Sequence, residues 1–164
     1  MAEIIKLDYD DGYKNIQLGD DPNRIIRINP TDAKFLNRMA DFDIKSEKIR
    51  EKYKDVDLNK ITELQNLNET DPEFDKLKDA AVVADQLDCA MKELINEIFG
   101  YDISSIVFGA DSCLSPAGGQ PIFMNFMQCI FGYIAKASAE EKQKSQEKLR
   151  KYTEQRNAAI GLSK

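Results

Sequence analysis

The chain has 164 residues, a formal net charge of −6, three cysteines and no histidine. Its length suits one domain with a moderate core, and its acidic balance disfavours nucleic acid, which needs a basic patch. Without imidazole the commonest general base, metal ligand and activator of a Ser or Cys nucleophile is gone.

No two of Cys89, Cys113 and Cys129 stand at C-x-x-C spacing, so neither a zinc site nor a redox motif is read. Three scattered thiols fit a reducing cytoplasm better than a secreted disulfide framework. The opening MAEIIKLDYDDGYK lacks a basic region followed by a long apolar run, which argues against a secretory signal. Charge is uneven. Residues 1–135 carry 15 basic and 25 acidic side chains, whereas residues 136–164 carry 8 basic and 4 acidic ones. An acidic body with a basic tail suits docking on another protein or another copy; a solvated helix face is the plainer reading.

In chain order, the first 28 residues read as strands. Ile4, Ile5 and Leu7 form one run, Tyr13, Ile16 and Leu18 a second, and Ile25, Ile26 and Ile28 a third. Asp10-Asp11-Gly12 and Gly19 to Asn23 separate them as turns, giving a hairpin or a three-stranded meander. In NPTDAKF, Asn29 is placed to cap a helix and Pro30 to open it. Phe35, Met39, Phe42, Ile49, Tyr53 and Val56 then make a heptad stripe, interrupted near Lys45-Ser46, over one helix from Pro30 to about Asp55. A polar link, 57–70, carries Leu58, Ile61, Leu64 and Leu67 at helical spacing. The next helix is capped by Asp71, opened by Pro72 and stopped by Gly100. Asp88 falls on its apolar stripe and is read at a partly exposed edge, because an unpaired buried carboxylate is costly. Two long amphipathic helices with a short link predict an antiparallel αα-hairpin.

Phe99-Gly100 and Phe108-Gly109 bracket YDISSIV, read as one or two helical turns capped by Asp102. Gly118-Gly119 lacks the spacing and the Lys-Ser/Thr of a phosphate loop and is read as a flexible turn, with Pro121 at the next first helical position. The following segment, Ile122 to Ile134, is apolar on nearly every side. At about 14 residues it is too short to span a bilayer. Helices of this kind are enclosed on all sides, which leaves a core, a subunit or partner interface, and a small-molecule pocket as readings. The candidate protein-binding residues are Phe108, Pro121, Ile122, Phe123, Phe126, Met127, Ile130, Phe131, Tyr133 and Ile134. Residues 140–156 predict a separate polar helix, with Glu140–Lys144 and Glu147–Lys151 at i,i+4, and residues 157–164 a flexible tail. The expected fold is one mainly α domain over residues 1–156 with a small N-terminal β element, hence α+β.

No catalytic, cofactor-binding or metal-ligating set is found. Asp8, Asp10 and Asp11 before Gly12 lack the donor periodicity and terminal Glu of a calcium loop, and Asp-Gly is a common turn. An enzyme is not expected.

The ordered segments INPTDAKFLNRM (28–39), LINEIFG (94–100), Phe108-Gly109, GGQPIFMNFM (118–127) and KLRKYTEQR (148–156) make the chain resemble small α-helical proteins of the tail-assembly clusters of long-tailed phages and prophages of Gram-positive bacteria, often described as tail assembly chaperones. The likeness runs over roughly Ile4 to Arg156. It implies a non-catalytic protein of the bacterial cytoplasm that self-associates and binds the tape measure protein before tail tube subunits polymerise, with no nucleic acid, membrane or cofactor as partner. Its alternatives are a completion or adaptor protein retained in the virion, or a prophage-encoded regulator.

Overall fold

A computed structural model describes residues 1–55, 63 and 66–161. The fold is mainly helical with a small N-terminal antiparallel hairpin, as the patterning predicts. Strands β1 (Lys14–Gln17) and β2 (Ile25–Ile28) pair with Ile16 opposite Ile26. Alternation turns Ile26 and Ile28 inward, where both are buried, and leaves Ile25 and Arg27 outside. The run at Ile4, Ile5 and Leu7 is not a strand. Residues 1–11 form an exposed arm, and the sheet stops at two strands.

The long first helix is instead two, α1 (Ala33–Ala40) and α2 (Phe42–Lys52), meeting at Asp41. Asp32, not Asn29, caps α1: its Oδ2 accepts from the Phe35 N–H at 2.8 Å. Asn29 and Pro30 belong to the turn before it, where Asn29 Oδ1 accepts from the Thr31 N–H. The gap in the stripe is filled by Ser46, which is buried and donates to the Asp43 carbonyl. A small hydroxyl that satisfies itself one turn back occupies an apolar position at little cost. The stripe position Val56 and the helical reading of the link at Leu58, Ile61 and Leu64 lie outside the described residues.

Helix α3 (Phe74–Phe99) begins two residues after Pro72, and the Asp71 carboxylate supports the preceding turn through the Glu73 N–H. It ends at Gly100, whose φ of +83° and bond to the Asn96 carbonyl make the expected left-handed stop. α1 and α2 pack on the C-terminal turns of α3. Phe35 packs on Phe99 with ring centroids 5.3 Å apart, Arg38 donates to the Ile98 carbonyl, and Lys45 meets Glu97. The short helix α4 (Ser104–Phe108) is capped by Asp102, which accepts from the Ser104 hydroxyl and from both the N–H and the hydroxyl of Ser105. These bonds hold the Asp102 carboxyl below the usual carboxylate range.

Gly118 and Gly119, at φ +63° and +87°, form a two-residue turn between β3 (Pro116–Ala117) and β4 (Gln120–Pro121). Two consecutive positive φ angles are what a tight hairpin turn demands and what Gly supplies. Pro121 precedes the final helix with extended ψ instead of opening it. That helix, α5, is continuous from Ile122 to Ala159. The apolar and polar segments expected as two helices are one, because nothing between Lys136 and Glu140 breaks helical propensity. Residues 157–159, expected in a flexible tail, belong to it.

Candidate interaction surface

The first turns of α5 enter the core along one stripe. Phe123, Phe126, Met127, Ile130 and Ile134 are buried, at i, i+3, i+4, i+7 and i+11. Phe126 stands between Phe99, at 5.8 Å, and Phe108, at 6.2 Å, while Phe123 meets Phe42 at 6.5 Å. An aromatic ladder thus ties α1 to α5 through α3 and α4, in tilted and edge-to-face geometries that add to area burial.

Six of the ten candidate binding residues, Phe108, Phe123, Phe126, Met127, Ile130 and Ile134, therefore fill this chain's own core. Pro121, Ile122 and Tyr133 are half-buried, and Phe131 is exposed. α5 is not enclosed on all sides. Its second face, with Gln128, Cys129 and Phe131, is open to solvent. A third side is covered by polar groups: Asn125 donates to the Ala117 carbonyl at 2.9 Å, and Gln120 donates to Asn125 and to Gln128. The Gly-Gly turn positions this amide cluster.

The loop leading into β3 is anchored by Asp88 of α3. Its Oδ1 accepts from the Cys113 N–H at 2.7 Å and the Ser112 hydroxyl at 3.2 Å, and its Oδ2 meets Lys92 Nζ at 3.0 Å. The sequence pattern sets Asp88 at a partly exposed edge, and the residue is half-buried there; its side chain is 13% exposed, and its hydrogen bonds and ion pair offset that burial. Burial alone would raise its pKa, but the bonds from Cys113 and Lys92 prevail and hold it below the ordinary value. Burial, with Asp88 alongside, pushes the Cys113 thiol well above its usual range, whereas Cys89 and Cys129 are exposed.

Beyond Phe131 and single residues such as Ile44 and Val82, apolar side chains are exposed in two longer stretches, the far part of α5 and the arm. From Ala139 onward every residue of α5 except Thr153 and Asn157 is exposed, including Leu149 and Tyr152. The arm exposes Ile4, Ile5, Leu7 and Tyr9, each by 74% or more. The base of the arm lies beside the basic tail. Asp10 is held below its ordinary pKa first by the Gly12 N–H and then by nearby Lys14, with smaller contributions from Lys144 and Lys148. The signal for the arm is present in the sequence as the Ile4, Ile5 and Leu7 run, which reads there as a strand of the sheet.

Compared with protein-family models, curated proteins and solved structures, the chain gives no match. Among the described residues no group of three or more Asp, Glu or Cys is placed to hold a metal ion, and no buried side-chain polar atom lacks a hydrogen-bond partner. No helix among the described residues is long and apolar enough to cross a membrane.

Proposed function

We propose that the chain is a non-catalytic tail assembly chaperone of a phage or prophage, which binds the long helical tape measure protein in the host cytoplasm and keeps it from aggregating until the tube forms around it. The observation that carries this reading is α5. Its N-terminal third is locked into the core, Asp10 at the base of the arm lies beside Lys144 and Lys148, and Leu149 and Tyr152 are exposed one turn apart among basic residues. A free amphipathic helix engages another helix through residues at i and i+3, and several modest contacts along a long client add up to avidity. Self-association belongs to the same reading, since it multiplies such contacts along one client.

The test is affinity capture of tagged protein from cells assembling the phage, with wild type and Leu149→Asp/Tyr152→Asp. Wild type is expected to recover a very long helix-rich protein and to be missing from finished particles. The double variant should lose the client by at least roughly tenfold, an interface-scale loss, with an unchanged circular dichroism spectrum. Retention of the chain in particles would replace this reading with that of a structural tail protein.

A further inference from the structure

The β1–β2 sheet has one closed and one open edge. On the outer side of β2, the Arg27 N–H donates to the Tyr101 hydroxyl at 3.1 Å. On the outer side of β1, no described group outside the hairpin bonds the backbone of residues 14–17, and Lys14, Asn15 and Gln17 are exposed. An open edge is a template for a further strand. The same chain carries an unused strand: Ile5, Leu7 and Tyr9 alternate with Lys6 and Asp8, and nothing covers them.

The arm is led away from its own β1 edge. Asp11 is pinned on the β2 side, where its carboxylate accepts from Arg27 Nη2 at 3.1 Å and its carbonyl accepts from Asn29 Nδ2 at 3.2 Å. Gly12 sits so close to Asn29 that a Cβ there would lie 2.9 Å from Asn29 Nδ2. The Gly12 and Tyr13 N–H groups are taken by Asp10 and Asp11 in two local turns. The chain therefore runs on past the end of β2 toward α5 instead of folding back along β1.

We propose that residues Ile4–Tyr9 of one copy add as a third strand to the open β1 edge of a second copy, with the reverse exchange closing a two-fold dimer. A second copy is the occupant because each chain holds both halves of the contact and its own halves are held apart. Such strand addition draws affinity from main-chain bonds and register from alternating side chains, and reciprocal exchange gives an isologous, closed assembly. A two-stranded sheet, marginal by itself, becomes wider in both copies.

The experiment is sedimentation equilibrium of the full chain over a wide concentration range, with amide exchange at residues 4–9 and at Asn15. Only alternate N–H groups enter a ladder, so the variant Lys6→Pro/Leu7→Pro removes a donor in either register. The expected result is a wild-type dimer with protected arm and Asn15 amides. In the variant, dimerisation weakens by at least roughly tenfold and circular dichroism is unchanged, since the arm touches no core residue. A wild-type monomer at about 100 μM, a dimer indifferent to the arm variant, or arm amides protected in the monomer would each overturn the proposal. Client capture is read separately, through Leu149 and Tyr152, so the two failures are distinguished: a wild-type monomer would remove self-association from the proposed function and leave its client, and loss of the client would leave the strand exchange standing.

Discussion

Asp88 shows how one charged side chain can be placed on an apolar stripe. Its carboxylate replaces water with the Cys113 N–H, the Ser112 hydroxyl and Lys92, and so secures the loop that carries β3 against α3. Asp88→Ala should cost about 2 kcal/mol in urea unfolding, the scale of leaving a buried donor unmet. It should also speed the reaction of the Cys113 thiol with a disulfide reagent, while Cys89 and Cys129 react at once in both proteins. A carboxyl with a lowered native pKa binds fewer protons folded than unfolded. Its contribution is complete above about pH 4 and is lost as pH falls through the lowered value. The stability gap between wild type and Asp88→Asn should therefore close on acidification through that window; a gap constant down to about pH 2 would contradict it. The sequence places Asp88 on the stripe with Lys92 one turn on, but it does not reveal Ser112 and Cys113, because they lie 24 and 25 residues away across a loop whose path no local pattern fixes.

At the scale of elements, periodicity decides well where one face is apolar and poorly where two are. α3 and its Gly100 stop follow directly from spacing and chirality. α5 is harder, since Phe131 and Cys129 make its first turns look apolar all round, yet only the Phe123-Phe126-Met127-Ile130-Ile134 stripe is buried. The break at Asp41 is invisible to propensity, which continues through it. The run at residues 4–7 has the composition of a strand, but Asp11 is tied to Arg27 and Asn29, contacts that only the folded hairpin brings together. Gly132 lies in α5 just before Ile134, and a Cβ there would meet nothing within 4 Å. Gly132→Ala should stabilise the helix by about 0.5–1 kcal/mol and raise Tm by roughly 2–4 °C, read by thermal melting. An unchanged or lower Tm would mean that this stretch is constrained by something other than helix propensity.

For the whole molecule, one core runs from Ile26 of the hairpin to Ile134 of α5, and the longest exposed stretches of the described chain are the arm and the far part of α5. The candidate site is legible only in part. Its apolar residues stand out in the sequence as the least ordinary ones, but most are consumed by the fold, and the exposed groups left for partners are fewer and more dispersed. The shape is therefore elongated. Small-angle scattering on the arm-disabled variant should give a maximum dimension of roughly 60 Å or more, set by the 38 residues of α5 at about 1.5 Å each. A value near roughly 40 Å, that of a sphere of this mass, would mean that α5 does not project.

Because α5 passes from the core into solvent without a break, the distance from Ile134 to Ala159, roughly 37 Å along the axis, acts as a stand-off. Leu149 and Tyr152, roughly 22 and 27 Å beyond Ile134 along the axis, stand about two Debye lengths from the core end at roughly 0.1 M salt, past the point where Lys144 and Lys148 still feel Asp10 of the arm. The net negative charge of the body then has little say in what the tip holds, and grip and solubility become separately tunable along a single helix.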